Sequence, residues 1–577
     1  MILQALYDYY HRCGDLPQKG MELKEIGFLI VIDKEGHFLR FEDRRIDKKQ
    51  AQKFLVKKHV GRTSALVANH LYDNSGYVFG YSDKGDAQVQ YTTFKDKVKS
   101  IYDSNPDNED ITAVYKFYHQ EQSVIIEQMQ QDSLWPEIEK NLNKKFSTFS
   151  FLIDGDTKIV AEKRELLGIE EDFPITDGSV CIVTGKKGNI VETTTATMIP
   201  GSQATAKLVS FQVSSGYDSY GKSKGGNAPI SEDAEFAYTT ALNHLLGSNS
   251  RNKFLIGTRT FLFWSSKNDE AGRKAEEGIF NLFGFSEQED DPDRNVGRVR
   301  KVFKSIYSGE LRTDSDDKFY ILGLAPNSAR LAVTYWADIP LKEFAATICK
   351  HFDDMEVVDN RPEKKPYMSL RNILSAVTLG GKVADATPNL PDAIVKSIFQ
   401  GVPYPQTLFA SCIRRIRAES GDKDKNAIHI TRAAIIKAYL NRMNDNQTRI
   451  NVMLDKDNTN QGYLCGRLFA VLDKIQEEAN NQHSIRERYM NAASSTPAAV
   501  FSTILNLSNH HEENLKSEGR KIYFEKLKQE IFSKIDAEGF RAQLDLQDQG
   551  RFFIGYYHQR QDFFTKSNEN AGDNNNE

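Results

Sequence analysis

The chain of 577 residues contains few cysteines and no long apolar stretch. Its five cysteines, at 13, 181, 349, 412 and 465, are far apart in sequence, so there is no CxxC pair for zinc binding or redox chemistry. The longest apolar runs, such as FLIVI at 28–32, are far too short to cross a bilayer. These absences predict a cytoplasmic protein with reduced thiols and no contact with a membrane.

The sequence also has no excess of basic residues. Lys and Arg total 75 against 80 Asp and Glu, which gives a formal net charge of -5. Proteins that bind polyanions usually carry a basic excess, so this balance weighs against nucleic acid as a ligand. It does not exclude nucleic acid, because net charge averages over all faces of a protein and a local patch can still be strongly positive.

The usual catalytic motifs are missing as well. The twelve histidines form no HExxH motif, and GxGxxG does not occur. The adjacent pair His510 and His511 would point about 100° apart on a helix, so it is not a ready chelate. We therefore expect no catalytic residue, no metal site and no cofactor, and a binding or assembly protein rather than an enzyme.

The hydrophobic patterns predict an α+β protein, with a mixed N-terminal region and an all-α helical bundle at the C-terminal end. Three pairs of apolar segments flank turn sequences and predict antiparallel hairpins: 27–32 with 37–42, 179–184 with 189–193, and 319–325 with 330–336. A helix is expected over 232–246, behind a cap at Ser231.

A charged, proline-bearing segment at 357–367 predicts a linker between the two regions. The α+β region would span 1–356, and the helical bundle 368–565. The polar tail at 566–577 would be disordered. Amphipathic patterns predict bundle helices at 406–418, 427–443, 462–481, 498–507 and 515–535.

The segment 216–223, GYDSYGKS, matches the phosphate-binding loop motif GxxxxGK[ST] and follows an apolar strand pattern at 207–213. A P-loop also requires a helix that begins at its Gly-Lys-Ser, so that the first amides hold the phosphates. Here KGGNAP follows, and two glycines and a proline disfavour a helix before Ser231. A P-loop NTPase stays an alternative interpretation of this segment.

Three clusters combine cations with stacking or hydrogen-bonding side chains, as contacts to phosphates and bases require. Ordinary solvated loops and helix faces would have the same composition. The first cluster is Tyr217, Tyr220, Lys222, Lys224, Gly225, Gly226 and Asn227. The second is Lys57, Lys58, Arg62, Asn69 and Asn74. The third is Arg414, Arg415 and Arg417, which Arg432, Lys437, Arg442 and Arg449 would extend into a basic stripe.

Several stretches together resemble one family, the large subunit of type I-C (Dvulg subtype) CRISPR Cascade surveillance complexes. They are MILQALYDYY at the start, LYDNSGYVFGY (71–81), PGSQATAKLVSF (200–211), YDSYGKSKGGNAPISEDAEFAYTTALNHLL (217–246), YILGLAPNSARLAVTYW (320–336), GVPYPQTLFASCIRRIRAE (401–419) and FFIGYYHQR (552–560). The resemblance runs along the whole chain.

This resemblance implies a non-catalytic subunit that recognises a protospacer-adjacent motif in duplex DNA, helps to open the duplex and supports the R-loop. The implied partners are crRNA, the target double-stranded DNA with its displaced strand, the Cascade backbone and small subunits, and a helicase-nuclease. The resemblance also implies that 453–565 corresponds to the small subunit, which an internal start at Met453 could produce separately. Loss of a shorter product on Met453→Leu would test that start.

Overall fold

The computed structural model of the chain describes residues 1–573, apart from 48–49, 61–65, 83–84, 143–146, 169–177, 214–219, 248, 257, 284–291, 360–368, 423–424, 444–448 and 483; for 292–296 and 565–573 it describes the backbone only. The chain divides into two compact units. The bundle unit comprises Met1–Arg12, Thr193–Tyr217 and Ala241–Glu577, and the small unit comprises Cys13–Glu192 and Asp218–Thr240.

The strands are β1 (Met21–Glu25), β2 (Phe28–Ile32), β3 (Phe38–Asp43), β4 (Lys53–Lys57), β5 (Tyr72–Asn74), β6 (Thr148–Ile153), β7 (Lys253–Ile256), β8 (Arg259–Ser265), β9 (Lys318–Asn327) and β10 (Arg330–Pro340).

The helices are α1 (Ile2–Arg12), α2 (Ser75–Val78), α3 (Gln88–Ser104), α4 (Glu109–Phe117), α5 (Gln122–Gln130), α6 (Trp135–Glu139), α7 (Glu232–Leu246), α8 (Glu270–Leu282), α9 (Pro292–Ser308), α10 (Leu341–Met355), α11 (Leu370–Val377), α12 (Leu390–Gln400), α13 (Gln406–Glu419), α14 (Ile430–Met443), α15 (Gln461–Asn480), α16 (Ser484–Ala493), α17 (Pro497–Glu513), α18 (Glu518–Phe532) and α19 (Leu546–Asp573).

The small unit is built on a four-stranded sheet in the order β3-β2-β6-β5, beside the antiparallel pair β1-β4. The predicted hairpin of 27–32 with 37–42 is confirmed as β2 and β3, which pair antiparallel. Strand β2 also pairs in parallel with β6. All five residues of β2 are buried, so both faces of this strand are covered, which explains its uninterrupted apolar sequence.

The bundle unit contains a four-stranded antiparallel sheet in the order β10-β9-β8-β7. The predicted hairpin of 319–325 with 330–336 is confirmed as β9 and β10. Phe319 of β9 stacks on Phe344 of α10, with ring centroids 4.4 Å apart. One face of this sheet is therefore covered by helices, as an amphipathic sheet requires.

The third predicted hairpin, 179–184 with 189–193, is wrong. Within it, Val180 and Lys187 form only an isolated bridge. The reason is competition from another segment, since the Ile182 amide donates to the Pro229 carbonyl and the Val191 amide to the Ile230 carbonyl. The expected strand at 207–213 is likewise reduced to a single bridge between Lys207 and Arg330.

The predicted C-terminal helices are present as α13, α14, α15, α17 and α18, which confirms the α+β class with a helical C-terminal region. None of the described helices is long and apolar enough to cross a membrane.

The core of the bundle unit includes both the second sheet and the C-terminal helices. Phe399 of α12, for example, contacts Phe344 of α10 and Phe283, at centroid distances of 5.5 Å. The packing therefore does not divide the chain at the expected linker, 357–367, most of which lies outside the described residues. The expected disordered tail also differs, since α19 continues to Asp573. A packed helix supplies the nucleus on which further polar residues extend it.

Helices α15 and α19 approach each other closely through glycines. A Cβ at Gly466 would lie 1.9 Å from the Phe552 carbonyl oxygen, and one at Gly555 would lie 2.3 Å from the Tyr463 carbonyl oxygen. Both distances are far below van der Waals contact, so only glycine permits this approach.

Candidate nucleic-acid interface

The loop before α7 is held in a compact turn on the small unit. Residues Lys224–Asn227 form one turn of 3-10 helix. The Gly225 amide donates to the Glu192 carbonyl at 3.0 Å, and the Asn227 side-chain amide donates to the carbonyls of Lys222 and Lys224 at 3.3 and 3.1 Å. Together these bonds fix the backbone of 222–227 against residues 191–192.

The two glycines of this turn have different roles. A Cβ at Gly225 would lie 1.9 Å from the Val191 carbonyl oxygen, whereas one at Gly226 would meet only the Lys222 Cβ, at 3.8 Å. Gly225 is therefore required by close backbone approach, and Gly226 is not.

The side chains of the loop divide into bound and exposed groups. Lys224 forms an ion pair with Glu192, so its charge is already partnered. Tyr220 is fully exposed with a left-handed backbone (φ 54°), and Lys222 is exposed without an ion pair to any described residue. Tyr220 and Lys222 are therefore the groups that this turn presents to solvent. Tyr217 lies outside the described residues.

This geometry does not support the P-loop interpretation. In the described part of the loop, the Gly-Lys-Ser segment is followed by the 3-10 turn, and α7 begins only at Glu232. The phosphates would lack the first amides of a helix that begins at the motif.

The second predicted cluster begins at the end of β4. The Lys57 ammonium donates to the Leu167 carbonyl at 2.9 Å, so this cation is already engaged in a hydrogen bond within the small unit. Lys58 is exposed, and its Nζ lies 5.9 Å from the centroid of the Phe236 ring on α7. Arg62 lies outside the described residues. Lys58 is thus the described cation of this cluster that remains available to a ligand.

Asn69 and Asn74 are held by a buried carboxylate, Asp73, which accepts hydrogen bonds from both of their backbone amides at 2.9 Å. The side-chain oxygen of Asn69 accepts from the Val60 amide at 2.9 Å, and that of Asn74 caps α2 by accepting from the Tyr77 amide. Both oxygens are therefore engaged by the fold. The Nδ2 groups make no hydrogen bond to any described residue, which leaves them as donors for a ligand.

His70, which follows Asn69 in sequence, adds no positive charge near neutral pH. Burial lowers the pKa of His70 to about 4, and its Nε2 lies 2.8 Å from the Leu166 carbonyl oxygen, to which it donates. His70 therefore does not contribute to the positive charge of this surface.

The loop and the second cluster lie in the same unit, and the second cluster contacts the first turns of α7. Lys58 contacts Phe236 of this helix, and Lys19, near the Lys58 backbone, pairs with Asp233 at 2.6 Å. Helix α7, which follows the loop in sequence, therefore contacts the second cluster through Phe236.

The arginine cluster lies in the bundle unit, on α13. Arg414 is exposed, Arg417 donates to the Gln549 side chain at 3.4 Å, and Arg415 pairs with Glu419. Burial alone would raise the pKa of Glu419, but hydrogen bonds from Arg432 and Arg415 outweigh it and lower that pKa to about 2.

The predicted extension of this cluster into a basic stripe is wrong. Arg432 and Lys437 are buried, and Arg442 is largely so. They donate to backbone carbonyls: Arg432 to Ala376 and Ala427, Lys437 to Asp353 and Asp354, and Arg442 to Ser397 and Val402. These cations satisfy internal acceptors, and only Arg449 of the extension is exposed.

Two further groups of charges were not predicted. Asp314, Asp316 and Asp317 lie close together, but all three contact the Lys267 ammonium at 2.8 Å, which takes the place that a metal ion would fill. Arg298, Lys301 and Lys304 lie at three-residue spacing on α9, and this periodicity was the signal that could have identified them.

The family comparison agrees with the resemblance found in the sequence. No curated protein matches the chain. A model of the family described as CRISPR-associated protein (Cas_Csd1) matches residues 6–564, which is nearly the entire chain. The chain therefore belongs to the Cas_Csd1 family of CRISPR-associated proteins.

Proposed function

We propose that this chain is the non-catalytic large subunit of a crRNA-guided type I-C Cascade complex, which recognises the protospacer-adjacent motif in duplex DNA through its small unit. Membership of the Cas_Csd1 family supports a large-subunit role in a CRISPR Cascade complex, together with crRNA and other Cas subunits. In RNA-guided effector complexes, base pairing by the guide identifies the target and the protein recognises only the adjacent motif.

The observation that carries the proposal is the pinned turn before α7. It holds the backbone of Lys222, whose side chain is exposed, and Tyr220, two residues earlier, is fully exposed. A preordered binding group loses less conformational entropy when it meets a ligand. An exposed ring can stack on an unpaired base, and an exposed ammonium can neutralise a phosphate.

The Asn69–Asn74 turn supplies the complementary chemistry. With both side-chain oxygens engaged, each asparagine can offer an Nδ2 donor. Base edges in either groove of DNA present acceptors, and such contacts carry sequence information that phosphate contacts lack. We assign base recognition to Asn74, the exposed member of the pair, and phosphate contact to Lys58 and Lys222.

In this proposal the displaced strand follows the helical bundle, and a separate helicase-nuclease docks on the assembled complex to cut the DNA.

The test is a gel shift of the assembled complex against matched targets that differ in the adjacent motif, at several salt concentrations. Lys222→Gln should weaken binding to every motif variant equally and reduce the salt slope by about 0.9. Asn74→Ser keeps a good helix cap but removes the amide donors. It should reduce discrimination between motifs by about 1–3 kcal/mol.

Lys140→Gln is the matched control, because Lys140 is an exposed lysine of the same unit with no assigned role. If Asn74→Ser and Lys222→Gln bind all targets with the affinity and salt slope of the control, this surface does not recognise the motif.

A further inference from the structure

The outer face of α9 in the bundle unit is strongly cationic. Residues 297–308 contain four cations, Arg298, Arg300, Lys301 and Lys304, and no acidic residue. Arg298, Lys301 and Lys304 are exposed and make no ion pair with any described residue. Their three-residue spacing places them along one side of the helix, over an axial distance of about 9 Å.

The opposite face of α9 is firmly anchored. Val299, Phe303 and Ile306 are buried in the core of the bundle unit. The Phe303 ring packs edge-on against Phe344 of α10, with centroids 5.9 Å apart. The cations therefore project from a rigid support, which keeps their spacing constant.

Two described carboxylates close to α9 are already paired with a cation of this helix. Asp353 of α10 and Glu356, directly after this helix, are both paired with Arg300, at 2.6 and 3.1 Å. Helix α10 adds two more exposed lysines, Lys342 and Lys350. Among these described side chains, six cations accompany the two carboxylates Asp353 and Glu356, so this group is positive although the whole chain is acidic.

An open cavity of about 730 Å³ lies at the C-terminal end of α9. Its lining includes Tyr307, Arg312 and Lys342, and Tyr307 is half-exposed one turn beyond Lys304. Asp314 and Asp317 also line the cavity and share the single positive charge of Lys267, and Glu343 is a further acid of the lining. The cavity therefore combines cations with an accessible aromatic ring.

We propose that this α9 face binds the phosphodiester backbone of a nucleic-acid strand, with Arg298, Lys301 and Lys304 on successive phosphates and Tyr307 available to stack on a base. A duplex strand advances about 3.4 Å per phosphate, so the cations span two to three phosphates. Rings next to cations are the usual elements of sequence-independent strand binding. The site lies in a different unit from the motif-recognition surface, and its chemistry does not require that surface to function.

The test uses the purified full-length chain and three probes of unrelated sequence: single-stranded DNA, single-stranded RNA and duplex DNA. Binding is measured by fluorescence anisotropy across a salt series. The triple variant Arg298→Gln/Lys301→Gln/Lys304→Gln should bind about 10-fold or more weakly at low salt. Its salt slope should fall by about 2 to 3, since each lost phosphate contact removes 0.7 to 0.9. The probe with the largest loss identifies the strand.

The control is Lys396→Gln/Lys516→Gln/Lys526→Gln, which removes the same charge from exposed lysines elsewhere in the bundle unit. The variant Arg298→Lys/Lys301→Arg/Lys304→Arg keeps the charge and should keep the salt slope, and circular dichroism verifies folding of all three variants. Equal slopes for the α9 triple variant and the unmodified chain overturn the proposal, as does an equal loss in the control. The α9 variant should weaken all motif variants alike, so failure here is distinct from failure of motif recognition.

Discussion

The two adjacent glycines of the 222–227 turn allow a sharp test, because only one of them lacks room for a side chain. In Gly225→Ala the new Cβ would lie 1.9 Å from the Val191 carbonyl oxygen and 3.0 Å from the Val191 carbonyl carbon. Ordinary contacts begin at 3.4 Å, so the turn must move away from 191–192 by about 1.5 Å. In Gly226→Ala the nearest atom is 3.8 Å away.

The cost of Gly225→Ala follows from the contacts that this movement breaks. The bond from the Gly225 amide to the Glu192 carbonyl is lost, at about 1 kcal/mol. The ion pair of Lys224 with Glu192 is partly exposed and contributes about 0–1 kcal/mol. The total local destabilisation is therefore about 1–2 kcal/mol. Gly226→Ala should be neutral or stabilise slightly, because alanine restricts the unfolded chain.

Hydrogen exchange of a peptide covering 220–231 measures this difference directly, since exchange reports the free energy of local opening. Gly225→Ala should exchange about 10-fold faster than Gly226→Ala, as 1.4 kcal/mol corresponds to a factor of ten. Assembled complexes with Gly225→Ala should also bind target DNA more weakly. Equal exchange in the two variants would refute the assignment of Gly225 as the anchor of the turn.

Two further predictions concern stability. Gly466→Ala should lower the free energy of unfolding by about 1–3 kcal/mol, because the new Cβ would push α15 away from the Phe552 carbonyl. Gly297→Ala is the control, since a Cβ there would meet nothing within 4 Å. The urea midpoints of the two variants measure the difference, and equal midpoints would contradict the close packing. Burial lowers the pKa of His70 to about 4, below its unfolded value near 6.5. As the pH falls, the unfolded chain therefore binds this proton before the folded chain does. The free energy of unfolding should decrease between pH 6.5 and pH 4, by about 3 kcal/mol at the acid end. His70→Gln should flatten the pH dependence of the urea midpoint over that range, and an unchanged dependence would contradict it.

Local patterns predicted the elements whose partners are close in sequence. The hairpin β2–β3 and the hairpin β9–β10 follow from alternating apolar residues around short turns. Helix α13 follows from the 3.6-residue period of its buried face, whereas α15 is buried on all sides from Gln461 to Asp473. These local patterns could not predict contacts between elements that are far apart in sequence. Nothing local indicates that β2 pairs in parallel with β6, or that Arg12 of α1 forms an ion pair with Glu276 of α8 at 3.0 Å.

The candidate site shows the same limit. Residue type indicated that lysines, tyrosines and asparagines could contact nucleic acid, but it did not show which of them the fold already uses. Lys57 and Lys224 are engaged by a carbonyl and a carboxylate, and Arg432 is buried, whereas Lys58 and Lys222 are exposed. The hairpin expected at 179–193 was wrong because residues 229–231 compete for its backbone bonds.

By itself, the sequence determined the α+β class, the helical C-terminal region and, through its likeness to one family, the Cas_Csd1 membership that the comparison then showed. It also determined the net charge of -5, which weighed against nucleic acid. Only the tertiary structure decided where that charge lies. Folding places some cations against carbonyls and carboxylates in the interior and leaves others, such as Lys301 and Lys304, in solvent. Electrostatic attraction of a ligand depends on those exposed positions and not on the total.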